Sequence, residues 1–381
     1  MKDWRVQLFK LNYDEEELRA VVEIIHSGWI TMGPCTIDFE NVFSSYIGND
    51  FKCLAVSSGT AALHIGVIAC GVGPSDEVIV PSLTFVADLN VVRAVGAVPI
   101  LADIKSLHDW SMDPEDIERK ISDRTKAVMI VHYAGYACDM GPIVEICKRH
   151  RIRLIEDCAH APGADYKGKK LGTFGDISAW SFFTNKNISV GEGGMVATSD
   201  MELYEKCKFL RSHGMTVATL VRIKGRAETY DVIEPGFNYR IDEMRSALGL
   251  VQLKKLAEAN KRREMLTKRY FENLETISTV ILPFKDFDRG NPSYHIMPIL
   301  LDKKIERQKV IQHMKQSGIQ TSIHYPPIQS FSAYKNLVGP TPKAQFVCEH
   351  ELTLPLYPTM TFEEVDLVCE ELVKAIRNAK K

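Results

Sequence analysis

Short apolar runs rich in β-branched residues recur between about residues 50 and 200, each followed by a stretch with helical spacing of its apolar positions. The runs Cys53–Val56, Glu77–Val80, Val98–Leu101, Ala127–Val131, Arg153–Ile155, Ile177–Ser181 and Met195–Thr198 read as buried strands. Strand and helix in alternation predict a parallel sheet with crossover helices. Ile241, Met244, Leu248 and Val251 then fall at helical spacing that continues past Leu256, so a long amphipathic helix is predicted there. Beyond Asn291 the pattern changes. Tyr294–Leu301 reads as a strand and Lys303–Gln316 as a helix, and Thr361 with Glu364 has the spacing of a capping box. Val365, Val368, Leu372 and Ile376 give the terminal helix one apolar face. The expected fold class is α/β: residues 1–250 form a large domain around a mostly parallel, seven-stranded sheet, and residues 251–381 form the linking helix and a smaller α+β domain.

The length of 381 residues agrees with that division, since about 150 residues per domain gives roughly two to three domains. Lys and Arg number 47 against 49 Asp and Glu, a net charge of −2 that lacks the positive field nucleic-acid binding needs. No apolar run reaches the roughly 18 residues of a membrane span, and the Met1–Arg5 start carries no secretory pattern, so a cytoplasmic protein is expected. Nine scattered cysteines suit reduced thiols. Cys147 with His150 and Cys158 with His160 lack a second ligand pair, so no metal site is expected.

Three segments can carry chemistry. Ser57–Leu63 (Ser-Ser-Gly-Thr-Ala-Ala-Leu) joins a strand to a helix with small hydroxyl residues and glycine, which reads either as an anion cup of backbone N–H groups or as an ordinary helix cap. Ile155–Gly163 runs a buried strand into carboxylates at the sheet edge where open α/β folds place ligands. There Asp157 can keep a heteroaromatic ring nitrogen protonated, or serve as an N-cap. In Ser181–Gly194 a single lysine, Lys186, sits among aromatic and apolar neighbours before a glycine-rich return. A lone lysine is ordinarily a solvated charge. Burial would depress its pKa and make it a nucleophile able to form a Schiff base.

Anion cup, ring-nitrogen carboxylate and Schiff-base lysine, in that order, are the parts pyridoxal 5'-phosphate (PLP) requires. With Gly28–Pro34, Pro81–Ala87, Gly236–Arg240 and His324–Pro327, the chain resembles the DegT/DnrJ/EryC1/StrS family of PLP-dependent sugar aminotransferases, which have the fold-type-I, aspartate-aminotransferase-like architecture. The resemblance implies that Lys186 carries the cofactor, that Asp157 lies beneath its pyridine nitrogen, and that Ser58, Gly59, Thr60 and Ser181 hold its phosphate. It further implies that Phe85 stacks on the ring, that His160 lies close to it, and that Asn238 reaches the phosphate of a neighbouring subunit, so that a homodimer shares its active sites. L-glutamate is implied as amino donor and a keto-sugar as acceptor. Arg222, Lys224 and Arg226 can grip the diphosphate of a nucleotide-linked sugar or form a solvated basic loop, and His324 and Tyr325 match a segment bordering the sugar pocket.

Other readings stand beside this one. A free ketocyclitol or ketosugar is an alternative acceptor, and a catalytically inactive PLP-binding regulator is an alternative of another class. A PLP-dependent sugar dehydratase would replace the lysine by histidine, which Lys186 disfavours. A nicotinamide-dependent oxidoreductase is disfavoured because Gly71-Val72-Gly73 continues as Pro74-Ser75-Asp76 rather than as a dinucleotide fingerprint.

Overall fold

A computed structural model describes residues 4–216, 229–337 and 339–380. Each of the seven apolar runs forms a strand: β1 (Lys52–Val56), β2 (Glu77–Pro81), β3 (Val98–Ala102), β4 (Thr125–Val131) and β5 (Arg153–Asp157), then, after a small hairpin of β6 (Asp165–Tyr166) and β7 (Lys169–Lys170), β8 (Ile177–Ser181) and β9 (Gly194–Thr198). The sheet order is β1-β9-β8-β5-β4-β2-β3. Only β9 opposes its neighbours; the β8-β5-β4-β2-β3 pairings are parallel. Apolar side chains serve both faces, as buried parallel strands require. Along β2, Ile79 joins one core cluster while Val78 and Val80 join the other.

The N-terminal half supplies α1 (Glu15–Ser27) and α2 (Pro34–Ile47), and then α3 (Gly59–Ala69) and α4 (Ala87–Ala94), whose first turns reach the site. The predicted long helix is Glu243–Leu274, and it packs against α1, α2 and the terminal helix Phe362–Asn378. Its first residue also completes α2. Gly33 offers no side chain to cap α2, and Glu243 instead accepts from the N–H groups of Gly33, Cys35 and Thr36, each at 2.8 Å.

The second sheet is antiparallel, in the order β10 (Val280–Ile281), β11 (Met297–Leu301), β12 (Glu351–Leu354). Val310 and Met314 of the helix Arg307–Gln316 and Val365, Val368, Leu372 and Ile376 of the terminal helix pack with it in one cluster. The capping box of Thr361 and Glu364 is present. Two boundaries differ from expectation. The strand begins at Met297 rather than Tyr294, because Tyr294 has φ of 50° and the flanking Ser293 and His295 N–H groups bond to Gly135 and Ala134 instead of a strand partner. The helix begins at Arg307 rather than Lys303, because Ile305 N–H closes a turn onto Asp302. A further cluster joins Leu83, Val131 and Tyr133 of the large sheet's edge to Ile296 and Leu300, which brings the small sheet over the carboxyl ends of the large one. No helix of the described residues is long and apolar enough to cross a membrane.

Candidate active site

At the carboxyl edge of the large sheet lies a cavity of about 380 Å³, with a floor formed by the segments that leave β1, β2, β5 and β8. Ser58, in extended conformation, caps α3 by accepting from Ala61 N–H at 3.1 Å, so the two readings of this segment are compatible: the cap residue also lines the cavity. The first-turn amides of Gly59 and Thr60 have no intrahelical acceptor available and suit an anion. The loop is tightly held. A Cβ on Gly59 would stand 2.8 Å from Ser181 Cβ, and one on Gly194 would stand 2.5 Å from the Ser58 carbonyl.

The two carboxylates of β5 point to opposite faces, as successive strand residues must. Glu156 is fully buried and accepts from the N–H groups of Gly172, Phe174 and Gly175 at 2.8, 2.7 and 2.6 Å, with His132 Nε2 at 3.1 Å. Its neighbour Asp157 is the last residue of β5, pairs with Val131 on one side and Ala179 on the other, and lines the cavity. Its Oδ1 accepts from Ala159 N–H at 2.8 Å. Burial pushes the Asp157 carboxyl up, an effect opposed by that N–H and by the charge of Lys186. His132, Glu156 and Cys158 lie close enough together to suggest metal ligands, but among the described residues they already satisfy one another and the surrounding backbone.

Lys186 stands in the polar turn after β8, where its own N–H donates to Phe183 O at 2.8 Å. Its side chain opens into the cavity, yet desolvation lowers its ammonium to about 8, against the attraction of Asp157. At neutral to mildly alkaline pH a sizeable fraction is therefore the free amine, the form that attacks a carbonyl.

Across the cavity, His324 and Tyr325, from the segment between the helix Arg307–Gln316 and β12, meet His160 and Phe85 of the large sheet's loops. His160 Nδ1 accepts from Ala134 N–H at 3.2 Å, which places the ring proton on Nε2, 3.0 Å from Tyr325 Oη. Burial and Lys186 keep His160 neutral, and the same causes lower His324 to about 3. His324 Nδ1 lies 2.9 Å from Thr353 Oγ1, and its N–H donates to Glu351 Oε2 at 2.8 Å. Phe85 leaves 55% of its surface exposed and faces Tyr325 at 5.7 Å between ring centroids, an open aromatic face at the cavity mouth.

The cavity thus gathers Ser58, Gly59, Thr60, Phe85, Asp157, His160, Ser181, Lys186, His324 and Tyr325. Asn238 lies outside it, in an isolated bridge with Ser212. Arg222, Lys224 and Arg226 fall outside the described residues. Sequence reasoning passed over Thr84, Asn185 and Glu192, which also line the cavity, and Asp88, Glu351 and His295 behind it. Of these, Thr84 lies inside the Pro81–Ala87 segment and Asn185 and Glu192 inside Ser181–Gly194, whereas Asp88, Glu351 and His295 carried no signal.

These residues fit pyridoxal phosphate. Cavities of this size hold small ligands, the pinched Gly59 loop offers first-turn amides, Asp157 supplies a buried carboxyl, and Lys186 supplies an amine of lowered basicity. The profile of the DegT/DnrJ/EryC1/StrS aminotransferase family matches residues 12–373. The chain is 36% identical to the spore coat polysaccharide biosynthesis protein SpsC of Bacillus subtilis strain 168, over 96% of this chain and 95% of that protein. It is likewise 36% identical to GDP-perosamine synthase of Escherichia coli O157:H7, over 96% of this chain and 97% of that protein. Among solved structures, Spr1654 of Streptococcus pneumoniae, assigned as a sugar aminotransferase, superposes in its PMP-form with a TM-score of 0.90 at 31% identity, covering 96% of this chain and 98% of that one. Its PLP-form gives 0.89 at 30% identity, covering 96% and 97%.

Proposed function

The chain belongs to the DegT/DnrJ/EryC1/StrS aminotransferase family and is a PLP-dependent sugar aminotransferase; from that premise we propose that it moves an amino group from L-glutamate to a nucleotide-linked keto-sugar, with Lys186 and Asp157 as its central residues. The observation that carries the reading is Lys186 in one cavity with Asp157 and the Gly59 loop, its amine lowered to about 8.

Bound pyridoxal phosphate supplies an electrophilic carbonyl and an electron-accepting ring. Ser58, Gly59, Thr60 and Ser181 hold its phosphate through hydroxyls and first-turn amides. Asp157 keeps the ring nitrogen protonated, because a buried carboxylate favours the charged form of its partner. Phe85 would cover one face of the ring. Lys186 Nζ would hold the cofactor, and its free amine would take the proton from the amino donor's Cα and return it on the way to product. His160 donates from Nε2 to Tyr325 Oη, which leaves the phenolic proton directed away from His160 and free to bind a substrate oxygen.

The nucleotide-linked acceptor is supported by the nucleotide in the name of the 36% identical GDP-perosamine synthase. Arg222 and Lys224 are the proposed diphosphate contacts, and His324 and Tyr325 the sugar contacts. A homodimer with shared active sites is proposed with it: Asn238 lies away from its own chain's cavity, as a residue serving a neighbour's would. A cytoplasmic setting accords with nine free cysteines. The test is to incubate the holoenzyme with glutamate and a panel of nucleotide keto-sugars and to follow 2-oxoglutarate. Release with at least one nucleotide sugar is expected. Turnover confined to free ketocyclitols or ketosugars would overturn the acceptor.

A further inference from the structure

Behind Asp157 lies a second carboxyl to which the reaction described above gives no part. Asp88, the second residue of α4, is 1% exposed. Its Oδ2 accepts from Thr84 Oγ1 at 2.5 Å, and its Oδ1 is buried with no hydrogen-bond donor among the described residues. The Asp157 carboxyl stands close enough to Asp88 for a side-chain hydrogen bond between the two.

Two buried carboxylates in contact cannot both be charged without a cation between them; they share a proton. The partners decide which one holds it. Asp157 has Ala159 N–H at 2.8 Å and feels the charges of Lys186 and His132. Among the described residues Asp88 accepts from the Thr84 hydroxyl alone, and burial together with Asp157 pushes its carboxyl well above the usual carboxylate range. Tyr325, the remaining titratable group facing both, is held neutral by burial and by the two carboxyls. The first-turn position in α4 favours an anion, but a helix terminus acts more weakly than full burial beside a like charge. A proton on Asp88 resolves the arrangement, because the carboxyl with an orphaned oxygen then becomes a donor that Asp157 can accept.

We propose that Asp88 is a positioning residue of the ring-nitrogen site: as a neutral acid it donates to Asp157 and holds that side chain as an oriented anion for the pyridine nitrogen of the cofactor. This rests on the assignment of Asp157 above. Removing the donor leaves a buried charge with one hydrogen bond fewer, and a hydrogen bond to a charged group is worth about tenfold in an equilibrium constant.

The test uses apoenzyme titrated with pyridoxal phosphate and, separately, with its carbocyclic analogue in which carbon replaces the ring nitrogen. Wild type binds pyridoxal phosphate more tightly than the analogue. Asp88→Val loses about tenfold of that preference, entirely on the pyridoxal phosphate side. Asp88→Asn retains it, since the amide donates to Asp157 and its oxygen still accepts from Thr84. A wild-type preference in Asp88→Val, equal losses on both ligands, or an Asp88→Asn as impaired as Asp88→Val would each overturn the proposal. Wild type without any preference would instead defeat the role of Asp157. Should Asp88→Val fail to fold, infrared difference spectra of wild type minus Asp88→Asn at neutral pH decide the matter. A protonated carboxylic C=O band present only in wild type supports the proposal, and its absence from the difference overturns it.

Discussion

Tyr325 Oη lies 3.0 Å from His160 Nε2, and the acceptance of Ala134 N–H by His160 Nδ1 fixes which atom carries the imidazole proton. The histidine therefore donates and the phenol accepts, leaving one phenolic O–H uncommitted at the cavity wall. Tyr325→Phe removes that donor while preserving the ring that faces Phe85. Cofactor affinity is expected to stay within about twofold of wild type, and kcat/KM for the sugar to fall about tenfold, the worth of one hydrogen bond of roughly 1.4 kcal/mol. Parallel measurement of cofactor titration and steady-state turnover checks both parts.

Lys186 is lowered to about 8 by desolvation. Capture of pyridoxal phosphate by the apoenzyme needs the neutral amine, so its rate is expected to rise with pH and level off above about 8, well below the range where an ordinary lysine would do so. Stopped-flow absorbance across the pH range reads this midpoint directly. A midpoint near that of free lysine would show that the amine is solvated. Lys186→Ala is expected to lose transamination by about a thousandfold or more, because in the proposed roles the attacking amine and the proton carrier disappear together.

Much of this site was legible before any coordinates. A strand covered on both faces is largely apolar whichever way it runs, so all seven strands of the large sheet announced themselves, the antiparallel β9 among them, and a lysine flanked by Phe182, Phe183 and Ile188 contradicts the habit of lysines closely enough to be noticed. What remained hidden depends on pairs far apart in the chain. Asp88 reads as an unremarkable first-turn acid until it meets Asp157, and Glu243 reads as a helix-start residue until it caps α2, 207 to 210 positions away. Tyr325 and His160 were each singled out in the sequence, but nothing local to either tells that they touch across 165 residues. The strand boundary at Tyr294 was misjudged for a related reason: a left-handed φ at a tyrosine is imposed by contacts with Ala134 and Gly135, and leaves no mark in composition.

Glu351 makes stability depend on pH. Burial raises its carboxyl to about 8, against the Thr353 hydroxyl and the His324 N–H. The folded pKa lies above the unfolded value of about 4.3, so the folded state holds a proton that the unfolded state releases. The contribution is fully present below the unfolded pKa, and it is lost as pH rises toward about 8. The slope in that window is at most about 1.4 kcal/mol per pH unit for one proton. Glu351→Gln cannot ionise, and its amide oxygen still accepts from His324. Its unfolding free energy, measured in urea at pH 5 and at pH 8, is expected to fall less between the two than that of wild type. Equal falls would show that Glu351 is ionised in the fold.

Gly194 tests whether the anion cup depends on close backbone approach. It is the first residue of β9, pairs with Val56 and Ser181, and has no room for a methyl group: a Cβ would stand 2.5 Å from both the carbonyl carbon and the carbonyl oxygen of Ser58, and 2.7 Å from Gly59 N. These are backbone atoms that cannot rotate away, so the strain must move the Ser58–Gly59 loop. Gly194→Ala is expected to destabilise the fold by about 1–3 kcal/mol, the usual cost of overpacking. It should also weaken cofactor binding through its phosphate, because the first-turn amides of α3 move with Ser58. Gly191 provides the control. It has φ of 88° and nothing within 4 Å of an added Cβ, so Gly191→Ala strains the backbone without touching the cup. If the cup is built by close approach, Gly194→Ala loses affinity for pyridoxal phosphate and for inorganic phosphate in the same proportion, whereas Gly191→Ala loses stability without altering that affinity. Calorimetric melting and phosphate competition titrations on the two variants separate these outcomes, and a Gly194→Ala protein with wild-type phosphate affinity would remove the close-approach argument for the cup.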